Sequence, residues 1–168
     1  GGTFALNRGG SLAIKLPLFE EALEHIVLEE TDIGWNIIKG ELAKVPCDKE
    51  LDYHAMVMGL RDYCTKSGFE KVVLGLSGGI DSALVAVIAS DAIGSANVRS
   101  IMLPSPYTSQ TSLIDATDLV ENLGCKSDTL PINDSLTAID KTLSSTFEGR
   151  QIDLTEENIQ SRLRGLLL

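Results

Sequence analysis

The 168-residue chain is short of cysteine, of basic residues and of long apolar runs, and each shortage closes off a class of function. Its three cysteines, Cys47, Cys64 and Cys125, lie far apart, with no C-x-x-C pair and an odd count. That pattern offers no disulfide framework. It fits scattered reduced thiols, used for packing, in a cytoplasmic protein. Fourteen basic residues face 24 acidic ones, for a net charge of −10, which argues against a nucleic-acid backbone as partner. No apolar stretch approaches the ~18 residues needed to span a bilayer, and no secretory leader pattern is present. His25 and His54 stand alone, and no Ser-His-Asp or Cys-His arrangement is legible. What remains is 43% hydrophobic, without repeats, and long enough for one domain with a real core.

The positive signal sits in Lys71–Ala83, KVVLGLSGGIDSA. An apolar run stops at Ser77-Gly78-Gly79, and an apolar helical run begins at Ile80. This is strand, glycine-rich turn, helix start. Two positions without a Cβ let backbone N–H groups close on an anion. The helix start adds its own free N–H groups and partial positive charge. Ser77 and Ser82 bring hydroxyls that serve either the anion or local caps. The ligand so described is phosphate. No lysine follows the glycines, so the loop is not of the G-K-[ST] type. Gly75, Gly78 and Gly79 do not space as a dinucleotide fingerprint.

Asp81 complicates the phosphate site, because a carboxylate repels polyphosphate. Two readings stand. Asp81 is a first-turn acid that favours the helix dipole, worth roughly 0.3–1 kcal/mol. Alternatively it holds Mg²⁺, which bridges the carboxylate and the phosphate oxygens. The chain's acidity makes unmetallated polyphosphate an awkward guest and favours the second.

Along the chain, GGTFALNRGGSLAIKLPLFEE reads as two short strands joined at Gly9-Gly10. Residues 19–30 suit a closing strand or a short helix. Residues 31–48, with Gly34, Gly40 and Pro46, read as a linker. From residue 49 the pattern alternates. A helix over Lys49–Ser67 and a strand over Lys71–Leu76 come first. A helix over Ile80–Ile93 follows, apolar almost all round and expected to be buried. Next come a strand over Val98–Leu103, a helix over Ser109–Leu123 and an edge strand over Lys126–Ile132, demoted by Pro131. Leu136, Ile139 and Leu143 mark a fourth helix, and Thr155 is placed to cap a fifth. Alternation predicts an α/β fold with a doubly wound parallel sheet and ligands at the carboxyl ends of its strands.

SGGIDS between strand and helix resembles the pyrophosphate loop of the N-type ATP pyrophosphatases, which have an adenine nucleotide α-hydrolase-like, Rossmann-like fold. Two later segments, IMLPSPYTSQTSLIDATDLVENLGC (residues 101–125) and DLTEENIQSRLRG (residues 153–165), resemble NAD synthetase. Residues 1–30 resemble the end of the nitrilase-like glutaminase domain that precedes the synthetase in glutamine-dependent enzymes. The resemblance implies an internal piece: glutaminase tail over 1–30, linker over 31–48, and an incomplete ATP pyrophosphatase domain over 49–168. A later nucleotide loop, a further acidic metal ligand and the glutaminase catalytic residues would lie outside it.

The resemblance also implies roles. Gly75, Leu76, Ser77, Gly78, Gly79, Ile80, Asp81 and Ser82 would bind ATP, with Asp81 carrying Mg²⁺. Met102 and Leu103 would lie along the adenine, although their side chains suit sheet core equally. Asn158 and Arg162, four apart, share a helix face. By spacing alone they are a solvated pair. The resemblance makes them contacts to deamido-NAD, with Gly165 leaving room beside them and Arg164 a surface charge or dimer contact. The implied reaction is amidation of deamido-NAD to NAD through an NAD-adenylate, with ammonia from glutamine and release of AMP and pyrophosphate, in a cytoplasmic homodimer. The resemblance implies that this piece is not competent alone. The competing readings are another ATP pyrophosphatase, such as a GMP synthetase, and a nucleotide-binding module without catalysis. ENIQSR argues against the first, and the intact SGGIDS with Asp81 against the second.

Overall fold

The computed structural model describes residues 1–151 and 153–168, in two compact units, Gly1–Met58 and Gly59–Leu168. In the first unit β1 (Phe4–Leu6) pairs antiparallel with β2 (Leu12–Lys15). The turn is the expected glycine bend. Gly10, at φ 81°, donates its amide to the Asn7 carbonyl at 2.8 Å. β3 (Val27–Thr31) and β4 (Gly34–Lys39) form a further antiparallel hairpin. Within the segment expected as a linker, 31–48, Gly34–Lys39 form a strand. Its Trp35, Ile37 and Ile38 suit a pleated surface, and Gly34, at φ 116°, turns the chain back onto β3. Asn7 ties the two hairpins. Its Oδ1 accepts from the Ile37 amide at 2.8 Å and its Nδ2 donates to the Ile37 carbonyl at 3.3 Å.

α1 (Asp48–Ser67) begins in the first unit and ends in the second. The second unit is built on a parallel sheet of β5 (Val72–Gly75), β6 (Val98–Met102) and β7 (Lys126–Thr129), in that order. β7 is an edge strand, as expected, but it ends at Thr129, before Pro131, rather than at Ile132. α2 (Ile80–Ile93) connects β5 to β6, and α3 (Gln110–Leu123) connects β6 to β7. α4 (Asn133–Leu143) and α5 (Leu154–Leu167) follow.

Period-two alternation along β6 sorts the helices onto two faces. Val98 and Met102 pack with Ala86 and Ala89 of α2 and with Ala116 and Val120 of α3. Ile101 and the following Leu103 pack the other way, with Leu136 of α4 and Leu163 of α5. Helices thus cover both faces, and the fold is the doubly wound α/β architecture that the alternation implied.

Two expectations about helices are corrected. α2 is not buried all round. Ala86, Ile88 and Ala89 are buried, whereas Ile80 is 80% and Val85 53% exposed. Small residues let one face approach the sheet closely, and the opposite face, with Ile80, Leu84 and Val85, is largely open to solvent. The cap of α5 is Asp153 rather than Thr155. The Thr155 amide donates to Asp153 Oδ1 at 2.7 Å, and the Asp153 amide donates back to Glu156 Oε2 at 2.8 Å. The D-x-x-E spacing makes this a reciprocal capping box.

Candidate functional site

The Ser77–Ser82 loop leaves the carboxyl end of β5 and opens α2. The helix starts without a side-chain cap: Gly79 is its N-cap residue, and the first intrahelical bond runs from the Ala83 amide to the Gly79 carbonyl at 3.1 Å. The amides ahead of that bond have no intrahelical acceptor, which is the condition for an anion site.

The loop's own hydroxyls fold inward. Ser82 Oγ accepts from the Ser77 amide at 3.2 Å and donates to the Gly79 carbonyl at 2.9 Å. Ser77 Oγ accepts from the Gly79 amide at 3.2 Å and lies 3.0 Å from Ser82 Oγ. The local-cap alternative for the two serines is therefore realised in this structure. It also preshapes the loop, because hydroxyl oxygens stand where an anion's oxygens would accept.

Gly78 has a sharper reason to be glycine than backbone access to a phosphate. It sits at φ 81°, and a Cβ there would overlap the backbone of Ser112, 2.7 Å from its Cα. The first turn of α3 thus rests directly on the loop. Gly79, at φ −89°, is unstrained, and a Cβ there would meet only Ser77 Oγ at 3.3 Å.

Beside the loop lies a cleft of about 490 Å³, within the usual range for small-ligand sites. Gly75, Leu76 and Ser77 form one wall, and Met102, Leu103 and Pro104 another. Thr108, Ser109 and Ser112 add hydroxyls from the entry to α3. Ser109 caps that helix, accepting from the Ser112 amide at 3.1 Å. The cleft sits at the carboxyl ends of adjacent parallel strands, where the fold puts ligands. Of the predicted nucleotide residues, Gly75, Leu76, Ser77, Met102 and Leu103 line it, and Gly78–Ser82 continue from it as loop and first helical turn. Met102 and Leu103 have side chains buried in the core and also line the cleft.

The expectations for α5 fare differently. Asn158 and Arg162 are exposed and line neither this cleft nor a second one of about 450 Å³ between α4 and α5. That second cleft carries Asp140, Asp153, Glu156 and Glu157, so it suits no anion. A Cβ on Gly165 would meet nothing within 4 Å. Arg164, read from the sequence as a surface charge or a dimer contact, lines the first cleft and donates from Nε to the Leu103 carbonyl at 3.1 Å. Sequence pattern carried no signal for it. Arg162 and Arg164 flank the buried Leu163 symmetrically, and docking of the helix alone selects one.

Asp81 is exposed in the first turn of α2, and among the described residues no group of three or more His, Cys, Asp or Glu converges on a metal position. A lone carboxylate fits Mg²⁺, which keeps water and takes phosphate oxygens for most of its shell. It would not make a stand-alone metal cage.

The comparisons agree with this geometry. The family model described as NAD synthase matches residues 52–168. A glutamine-dependent NAD(+) synthetase of Rhodobacter capsulatus is 54% identical over the whole chain, which spans 30% of that protein. One from Synechocystis is 45% identical, again with 30% of its length covered. The solved glutamine-dependent NAD+ synthetase of Acinetobacter baumannii, a complex with ADP, superposes with a TM-score of 0.92 at 39% identity, over all of this chain and 31% of that one. The chain spans about 30% of the length of the curated relatives it matches. With a family match over most of its length, a strand–SGGIDS–helix loop and a cleft at the strand tips, the chain belongs to the NAD synthase family.

Proposed function

We propose that this chain supplies the ATP pyrophosphate loop and part of the deamido-NAD site of a protein that converts deamido-NAD to NAD. ATP activates the nicotinate carboxylate as an adenylate, pyrophosphate leaves, and ammonia from glutamine displaces AMP. The observation that carries the reading is the uncapped start of α2, presented by Ser77–Gly79 at the mouth of the strand-tip cleft. Its fixed N–H groups meet charge as it grows on the departing pyrophosphate and need no reorganisation. Ser77 and Ser82 can turn their hydroxyls from the loop to the phosphate oxygens. Asp81 would hold Mg²⁺, which supplies charge neutralisation on the phosphates when bound. The main chain of Met102 and Leu103 would border the adenine. Asn158 and Arg162 remain assigned to the dinucleotide, on a helix face that is open to solvent here.

The domain reading belongs to the same proposal. Residues 1–30 would close a nitrilase-like glutaminase domain, 31–48 would join it to the synthetase, and 49–168 would begin the synthetase. A cytoplasmic homodimer completes it. Among the described residues no helix is long and apolar enough to cross a membrane. Purified full-length protein should release pyrophosphate from Mg·ATP when deamido-NAD is added, and should not when XMP is added. Release with XMP would reassign the protein to another ATP pyrophosphatase. No release with either would leave nucleotide binding without this chemistry.

A further inference from the structure

The cleft beside the loop is unusual in its charge. The chain carries −10, yet among the described residues the one charged side chain lining the cleft is the cation Arg164. It is half-buried, on a helix whose core residue Leu163 is fixed against Leu103 and Leu136. Its Nε is committed to the Leu103 carbonyl at 3.1 Å, which fixes the plane of the guanidinium at the tip of β6. No ion pair is formed by Arg164 among the described residues, and no Asp or Glu side chain lines the cleft. Its Nη donors are therefore left to whatever enters. A half-buried guanidinium with unused donors favours an anionic oxygen ligand.

We infer that Arg164 is a phosphate-binding residue of the nucleotide cleft, contacting a phosphate oxygen of ATP inward of the groups held by the Ser77–Ser82 loop, while its Nε positions the Leu103 strand tip. The inference rests on the proposed ATP site and deepens it. Geometry favours ATP over the dinucleotide as the source of that phosphate. Ser77, Leu103 and Arg164 line the same cleft, so a nucleotide with outer phosphates on the loop and its base along β6 would pass Arg164 with its inner phosphate.

The test is calorimetric titration of full-length wild type, R164Q and R164K with Mg·ATP, adenosine and deamido-NAD. R164Q should weaken Mg·ATP roughly ten- to hundredfold, as loss of a charge-assisted hydrogen bond does, and weaken adenosine far less, by the lost support of Leu103 alone. R164K keeps the charge but not the fork and should fall between. If R164Q does not fold, the ATP-to-adenosine affinity ratio of R164K decides: it falls if Arg164 binds phosphate. An unchanged ratio overturns the inference. So does an equal loss for ATP and adenosine, which would make Arg164 a support for Leu103 only, or a loss confined to deamido-NAD. A wild type that binds no nucleotide refutes the proposed ATP site and this inference with it, whereas wild-type binding with an unaltered variant refutes the inference alone.

Discussion

Two neighbouring glycines in the loop do different work, and substitution should separate them. Gly78 combines a left-handed φ of 81° with backbone contact to Ser112, so an alanine there is strained and must also displace the first turn of α3. Gly78→Ala should lower stability by at least about 2 kcal/mol, the sum of a positive-φ strain and a forced backbone shift. Gly79, at φ −89° and with only Ser77 Oγ nearby, accepts a Cβ. Gly79→Ala should change stability by less than about 1 kcal/mol and act on ligand approach instead. Thermal melting of the full-length variants together with Mg·ATP titration distinguishes the cases. Equal loss of stability in both variants would contradict the assignment of the α3 contact to Gly78. A single sequence shows two glycines in a turn. It does not show that the backbone of α3, some thirty residues on in the chain (about one helix–strand–loop unit), rests on the first of them.

At the scale of elements, α5 links chain chemistry to the cleft, because Asp153 starts the helix that carries Arg164. The Thr155 hydroxyl, and then its amide, hold the Asp153 carboxyl below the usual carboxylate range. A depressed folded-state pKa gives stability that is fully present above the ordinary carboxylate value, about 4, and is lost as pH falls through the lowered one. Asp128 behaves in the same sense, held down by its hydrogen bond to Arg99 across β6 and β7. Acid unfolding of the wild type should therefore steepen below pH ~4, and Asp153→Ala should flatten that part of the profile. Circular dichroism against pH reads it, and identical profiles would refute the role of the cap. Element bounds were legible where glycine punctuates the chain. Gly79 and Gly94 bracket α2, and Gly124 closes α3 in the left-handed conformation. What pattern could not supply was helix phase relative to the cleft. Residues on either side of buried Leu163 lie about 100° away in opposite directions, so Arg162 and Arg164 are equivalent until α5 docks. The β3–β4 hairpin escaped for a related reason: Gly34 and Gly40 suggested a linker, and only pairing with Val27–Thr31 makes a strand of Gly34–Lys39.

For the molecule as a whole, net charge sets the terms on which a nucleotide enters. A chain at −10 disfavours free ATP, and under the proposed function Asp81 would add a carboxylate at the loop that receives its phosphates. Unit charges about 4 Å apart interact by about 4 kcal/mol at the effective dielectric of a protein surface, more than the helix dipole returns. The two N–H-rich features, the α2 start and Arg164, do not offset this alone. In the proposed site a divalent metal would turn Asp81 from a repulsive group into a ligand, so metal removal should act on phosphate binding and spare the base. Chelation should weaken ATP binding to the full-length protein by about tenfold or more, a change of at least about 1.4 kcal/mol, with adenosine unaffected. Asp81→Asn should bind Mg·ATP more weakly than wild type while binding metal-free ATP better, because the repulsion and the metal ligand vanish together. That opposite movement is what a carboxylate serving only the helix dipole cannot produce: for such a group, asparagine would relieve repulsion and raise both affinities. Titrations of wild type and Asp81→Asn with and without Mg²⁺ therefore decide between the two roles, and parallel gains in the variant would remove the metal from the site.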